Sequence, residues 1–305
     1  MDVTLSLQLF ATLAHFARDT LIRPVGHLLP QAGEGKEEPC ANQGRQKHSP
    51  CGARMVSARL LLWRLPGASA SMTHMERADW YYDDLRQVGT DFADAAEVAT
   101  YDERQGDNDA EDRDLLHRLD LKPSHSLADI GCGTGLLACA AARLCREVHA
   151  IDISLPMLAA TKRRAEAAKL TNVTTQHAGF LSFALPAAGI DVMTTKFALH
   201  HLPDQWKGVA LDRMARALKP GARLLIRGVV FSCTPSELPD TAEAWISWML
   251  ANTGYDRATV ARHLRDEHST YGWIMEGLIK QAGLMLVSAH YSNGVYADYI
   301  AARPA

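Results

Sequence analysis

The stretch Leu127-Ala128-Asp129-Ile130-Gly131-Cys132-Gly133-Thr134-Gly135 constrains this chain more than any other. A short apolar run leads into three alternating glycines, and a helical period follows. Glycine permits positive φ and lets backbone approach a ligand closely, so this bend reads as a binding loop between a strand and a helix. Asp152 closes the next apolar run, 21 positions beyond Gly131. A carboxylate at that spacing can accept both hydroxyls of an adenosine ribose.

The remainder alternates short apolar runs with helical periods, the pattern of βαβ units and a mostly parallel sheet. Strands are predicted at 126–130, 148–151, 173–177, 190–195 and 223–231. Helices are predicted at 135–144, 155–170 and about 206–218, the last stopped by Lys219-Pro220-Gly221 because proline cannot continue the ladder. Residues 284–291 and 295–301 flank Ser292-Asn293-Gly294. Asn-Gly favours positive φ at a two-residue turn, so these two strands should be antiparallel. The expected fold is an α/β, Rossmann-like, doubly wound sheet of seven strands with an antiparallel C-terminal hairpin. Helical lids are expected at 81–119, with segments at 91–101 and 111–119, and in an insertion at about 236–282.

The loop also bears on which adenosine cofactor it holds. Pyrophosphate sites present backbone amides and a helix N-terminus to negative charge. Here Asp129 stands directly before the bend, and the spacing is G-x-G-x-G rather than G-x-G-x-x-G. A fixed carboxylate repels pyrophosphate but attracts the ammonium and sulfonium of S-adenosyl-L-methionine, so that cofactor is expected.

Four segments in order resemble the class I S-adenosylmethionine-dependent methyltransferases of small-molecule type. They are Asp129 to Gly135; Ala150-Ile151-Asp152-Ile153-Ser154 with Met157; Ile190-Asp191-Val192 with Phe197-Ala198-Leu199-His200-His201-Leu202-Pro203-Asp204; and Leu218-Lys219-Pro220-Gly221. The resemblance spans about residues 80–303. It implies that Asp129, Gly131, Cys132 and Gly133 line the methionine half of the cofactor and that Asp152 holds the ribose. It further implies that Ile153 and Met157 pack on adenine and that Lys196 offers its backbone to the methionyl ammonium. Many relatives carry an acid after the glycine at the tip of the third strand, whereas here Gly179 is followed by Phe180; the adenine contact there becomes stacking or a backbone bond. Tyr101 and Arg104 fall where relatives place a lid helix, and an arginine fork suits the cofactor carboxylate.

His200 and His201 follow the fourth strand, and either is a candidate general base because imidazole titrates near neutrality. Trp245, Trp248, Tyr271 and Trp273 are candidates to wall an acceptor pocket, with Arg227 and His268 as further polar candidates. The expected reaction is methyl transfer to a small molecule without a metal; the same cofactor also serves cyclisation and aminopropyl-type transfer, and a silent cofactor-binding protein would carry the same loop.

Composition narrows the partners. Of 32 basic and 35 acidic residues, eight and five fall in 1–71, leaving 24 and 30 for the body. That body lacks the basic face that phosphate neutralisation needs, so nucleic acid is not an expected partner. No apolar run approaches the roughly 20 residues of a membrane span. The six cysteines, at 40, 51, 132, 139, 145 and 233, include no C-x-x-C pair and read as reduced thiols. Residues 1–71 differ in texture: 31–52 are rich in Gly, Pro and charge and read as poorly ordered. Residues 53–71 carry Arg and Ser without acid, which suits an organelle transit segment as well as an upstream region preceding a start at Met72 or Met75. A cytoplasmic enzyme is expected, or a mitochondrial matrix one if 53–71 is a transit segment.

Overall fold

In a computed structural model the described residues are 78–89, 92, 94, 98, 99, 101, 102 and 109–305. The expectations for 1–71, for Arg104 and for most of 91–101 lie outside them. Within Ala78–Tyr81 a turn is closed by Tyr81 N–H donating to the Ala78 carbonyl at 2.8 Å.

The unit from Tyr82 onward is built on one sheet. Its strands are β1 (Ser126–Ile130), β2 (Glu147–Asp152), β3 (Val173–His177), β4 (Ile190–Lys196), β5 (Leu218–Phe231), β7 (Met285–Ser292) and β8 (Tyr296–Ala302), in the order β3-β2-β1-β4-β5-β8-β7. The first five run parallel, and β8 pairs antiparallel with both β5 and β7. This is the seven-stranded sheet expected from the sequence. One strand is additional: the two-residue β6 (Thr270–Tyr271) extends parallel to the far end of β5.

Every residue of β1 is buried, as in a strand covered on both faces. Helix α1 (Asp109–Arg118) and α2 (Leu136–Ala142) cover one face, where Leu115, Leu116, Leu119, Leu137 and Ala141 join Leu127, Val148 and Val192 in a common core. Helix α3 (Leu155–Ala167) begins where Ser154 Oγ accepts from Met157 N–H at 3.1 Å, an N-cap reinforced by Pro156 in the first turn. Helix α4 is Asp204–Ala217. Helix α5 (Leu238–Asn252) and α6 (Arg257–Asp266) form the insertion and enclose a smaller core of Val229, Phe231, Trp245, Ile246, Val260 and Val295.

Helix α7 (Gly272–Gln281) packs on α4 and β7, in the layer beside the sheet. The insertion over β5 is therefore shorter than the expected 236–282, because β6 returns the chain to the sheet at Thr270. Lys219-Pro220-Gly221 also differs from expectation. The helix does stop there, but the residues enter β5: Leu218 pairs with Ile190, and the register then shifts around Gly221, whose φ is +77°. At the hairpin, Asn293 and Gly294 adopt φ of 53° and 74°, the two positive values of a type I′ turn. No helix among the described residues is long and apolar enough to cross a membrane.

Candidate cofactor site at the strand ends

In open parallel sheets, ligands bind beyond the carboxyl ends of strands where the winding reverses, here between β1 and β4. The glycine loop occupies that point. Gly131 and Cys132 N–H both donate to the Ile151 carbonyl, at 2.8 and 3.0 Å, which fixes the bend against β2. All three glycines have positive φ, and two of them permit contacts a side chain would block. A Cβ on Gly131 would stand 2.3 Å from Ala198 Cβ, just after β4, and one on Gly135 would meet the Thr161 side chain. A Cβ on Gly133 meets nothing within 4 Å. The loop is thus packed at both ends and open in the middle.

Asp152 faces that opening. Its carboxylate accepts from Gly133 N–H at 2.9 Å and from Ser154 N–H at 2.8 Å, one bond on each oxygen. A carboxylate has about four acceptor positions, so two remain for hydroxyls. Burial raises its pKa, offset in part by those amides. Asp129 is deeper. Thr194 Oγ1 donates to it at 2.7 Å, yet burial dominates that bond and the Lys196 charge, pushing the carboxyl up to about 7. Cys132 is likewise buried with its thiol pushed up by burial, so it is a small apolar wall rather than a thiolate.

The tip of β3 closes the other side. Phe180 is buried, and its ring lies 3.9 Å from the Cβ position at Gly131. Asp84 supplies what the sequence lacks there: its Oδ2 accepts from Leu181 N–H at 2.7 Å and Ser182 Oγ at 3.0 Å, directly against Gly179. A carboxylate therefore stands at this tip, brought from 97 positions upstream. Met157 is buried in the first turn of α3, and the Ile153 carbonyl pairs with His177 Nε2 at 2.9 Å.

Phe92, Tyr101 and Asp102 contact the same strand ends and each other. Ser154 Oγ donates to the Phe92 carbonyl at 2.5 Å, and the Phe92 and Tyr101 rings meet edge to face at 5.5 Å. Asp102 accepts from Thr134 Oγ1 at 2.5 Å and pairs with Arg164, whose Nε donates to the Thr134 carbonyl at 3.0 Å. Asp102 and Arg164 were not legible as a pair in the sequence, being 62 positions apart. Lys196 pairs its ammonium with the buried carboxylate of Asp112 in α1. Just after it Phe197 has φ +49° and is 40% exposed, an uncommon backbone state for a bulky residue, located where β4 opens to the site.

The two candidate histidines turn elsewhere. His200 Nε2 lies 3.2 Å from Glu267 Oε2, and its Nδ1 is buried with no hydrogen-bond partner among the described residues. Burial, with the neighbouring His201, pushes its pKa down to about 3. Burial likewise lowers His201. An imidazole of basicity as low as that of His200 is a poor acceptor of a substrate proton. Glu267, not singled out in the sequence, also pairs with His263; burial alone would raise its pKa, but bonds from the two histidines hold it well below the usual carboxylate range. Among the aromatic candidates, Trp245 is core, its indole N–H donating to Tyr296 Oη at 2.9 Å, whereas Trp273 is 67% exposed and stacked on Tyr271. Arg227 is engaged by Asp298 and Glu111.

Alanine at the two glycines should separate packing from binding. Gly131→Ala combines a positive φ with a collision against Ala198 and should cost about 2 kcal/mol or more of stability. Gly133→Ala should cost about 1 kcal/mol, since only its φ of 55° is strained, yet fill the opening and abolish cofactor binding. Melting curves and binding titrations on both variants check this contrast; equal behaviour would contradict it.

Known methyltransferases resemble this chain in sequence and in fold. Residues 127–221 match the family described as Methyltransferase domain. An uncharacterized methyltransferase of Mycobacterium tuberculosis is 38% identical over 122 residues, which is 40% of this chain; the chain spans 58% of that relative's length. A demethylmenaquinone methyltransferase of Bacillus mycoides is 24% identical over 63% of this chain and 84% of its own. Among solved structures, a SAM-dependent methyltransferase from Aquifex aeolicus superimposes with TM-score 0.51 at 17% identity, covering 69% of this chain and 98% of that one.

Proposed function

We propose that the chain carries a class I S-adenosylmethionine-dependent methyltransferase domain and transfers the methyl group of that cofactor to a small-molecule acceptor, releasing S-adenosylhomocysteine. The observation carrying this reading is the juxtaposition of the open Gly133 bend with the Asp152 carboxylate. When bound, the cofactor supplies a methyl group already activated by its sulfonium. The residues present fit it. Asp152 has acceptor positions left for the ribose hydroxyls, Gly131, Cys132 and Gly133 leave room for the methionine half, and Met157, Ile153 and the Phe180 ring offer apolar surface for adenine. Gly179 lets the backbone at the β3 tip approach closely, and Tyr101, packed edge to face on Phe92, stands beside the strand ends. Lys196 contributes its backbone there, while Arg104 keeps its proposed place beside the cofactor carboxylate.

Because the methyl donor is activated, positioning and water exclusion supply most of the acceleration. Neither His200, buried against Glu267, nor His201, whose basicity burial lowers, is required as a base in this account. The acceptor is met at the β4 and β5 ends, beside Phe197. The reading is tested by incubating the full chain with methyl-labelled cofactor and a metabolite pool that includes demethylmenaquinone, the compound in one relative's name. Label in an acceptor together with S-adenosylhomocysteine supports it; methylthioadenosine instead would refute it.

Asp129 gives this function a pH signature. Its folded pKa is raised to about 7, so between roughly pH 4 and 7 the folded chain keeps a proton that the unfolded chain has released. Stability from that carboxyl therefore falls as pH rises through the window. A cation beside it favours the ionised form, so cofactor binding near pH 6.5 should expel a fraction of a proton and tighten toward pH 8. Titration calorimetry in two buffers of different ionisation heat measures the release, and Asp129→Asn should abolish it. Equal release from that variant would remove Asp129 from the cation's surroundings.

A further inference from the structure

Beyond the cofactor site, three side chains from distant parts of the chain converge. His200 lies in the short turn at Leu199–His201 after β4, and His263 and Glu267 stand four residues apart at the end of α6. One carboxylate oxygen, Glu267 Oε2, contacts both His200 Nε2, at 3.2 Å, and His263 Nδ1. The two rings lie 4.9 Å apart, and one donor atom from each of the three residues falls within 4.8 Å of the others. All three side chains are largely buried, at 8%, 17% and 7% exposure.

Among the described residues, the ion-pair partners of Glu267 are these two imidazoles and no lysine or arginine. The carboxylate and the two imidazoles thus form a set to themselves, and the Trp245 ring, 5.2 Å from that of His263, gives the set an apolar wall.

We propose that His200, His263 and Glu267 bind one zinc-class divalent cation. Two imidazole nitrogens and a carboxylate oxygen are a ligand set that zinc takes with a fourth position open, whereas magnesium and calcium prefer all-oxygen sites. Zinc–ligand bonds of about 2.1 Å in a tetrahedron put ligand atoms about 3.4 Å apart, close to the His200–Glu267 separation. His263 Nε2 lies 3.1 Å from Ser269 Oγ, the outer contact that orients a ligating imidazole. Gly89 has φ +81°, and a Cβ there would stand 2.0 Å from Glu267 Oε1, so the chain passes directly over the carboxylate. Gly89 also lines a cavity of about 450 Å³ with Tyr82, Arg86 and His268. The ion would clasp the end of α6 to the end of β4. None of the three ligands is assigned to the methyl donor, so this site and the cofactor site stand or fall separately.

The test strips the full-length protein with chelator, reloads it with zinc or cobalt(II), and measures metal content, melting temperature and the visible cobalt spectrum. The expected result is one zinc per chain, a raised melting temperature, and cobalt bands without the thiolate charge-transfer absorption that cysteine ligands give. Glu267→Gln and His263→Gln should each weaken zinc by more than about 100-fold, beyond the 10- to 100-fold loss of an outer partner, with cofactor binding retained as the sign of a folded chain. Wild-type protein that holds no zinc overturns the proposal, as do variants that bind it normally or a thiolate band in the cobalt spectrum. Should a variant fail to fold, the wild-type stoichiometry and spectrum decide alone.

Discussion

Replacing Asp152 with alanine is expected to raise the dissociation constant for S-adenosylmethionine at least about 100-fold while the far-ultraviolet spectrum stays that of the native fold. Two hydrogen bonds from ribose hydroxyls to a charged acceptor contribute about 1.5–3 kcal/mol each, so losing both exceeds the 2.7 kcal/mol of a 100-fold change. The same carboxylate accepts from Gly133 and Ser154 N–H, so the substitution also frees the middle of the glycine loop and the entry to α3. Asp152→Asn keeps one acceptor oxygen for the backbone and should restore thermal stability more than affinity. Affinity within a few-fold of wild type in both variants would contradict the ribose assignment.

The second large effect concerns the fold. Asp298 on β8 receives Arg227 Nε at 2.6 Å and Nη2 at 2.5 Å across the β5–β8 ladder, and Arg118 stands 3.4 Å away. Arg227 and Asp298 are 14% and 8% exposed at the side chain. Among the described residues, Asp298→Ala leaves the buried guanidinium with Glu111 of α1 as its one carboxylate partner, which should cost about 3–5 kcal/mol. For a domain of this size that is a fall in melting temperature on the order of 10 °C. Removing both charges, in Asp298→Leu with Arg227→Met, should cost less than the single change. A single variant that melts with wild type would show that the pair is not structural. The arrangement also explains why Arg227, attractive in sequence as an acceptor contact, is tied into the body instead.

What the sequence disclosed follows from how local each signal is. The glycine loop and the Asn293-Gly294 hairpin are short-range patterns whose φ requirements are written in residue type, and both take the expected conformation, while Asp152 ends its strand. Strand existence was equally legible from apolar alternation. The identity of the partners was not. Asp84 reaches the β3 tip from 97 positions away, and Glu267 meets His200 across 67. Neither pair has a spacing rule, because tertiary packing alone joins them. His200 and His201 were read as candidate bases on residue type, but burial sets their protonation, and burial is a property of the finished fold. Helix α7 was grouped with the insertion because its period is helical throughout; only the two-residue β6 separates it, too short to register as alternation.

Titration calorimetry of the full-length wild-type chain with S-adenosylmethionine and, separately, with NAD tests the central claim most directly. A buried carboxylate before an open glycine bend predicts saturable binding of the first at one site per chain and no binding of the second, whose pyrophosphate Asp129 would repel. Heat from NAD alone, or from neither ligand, would contradict the account.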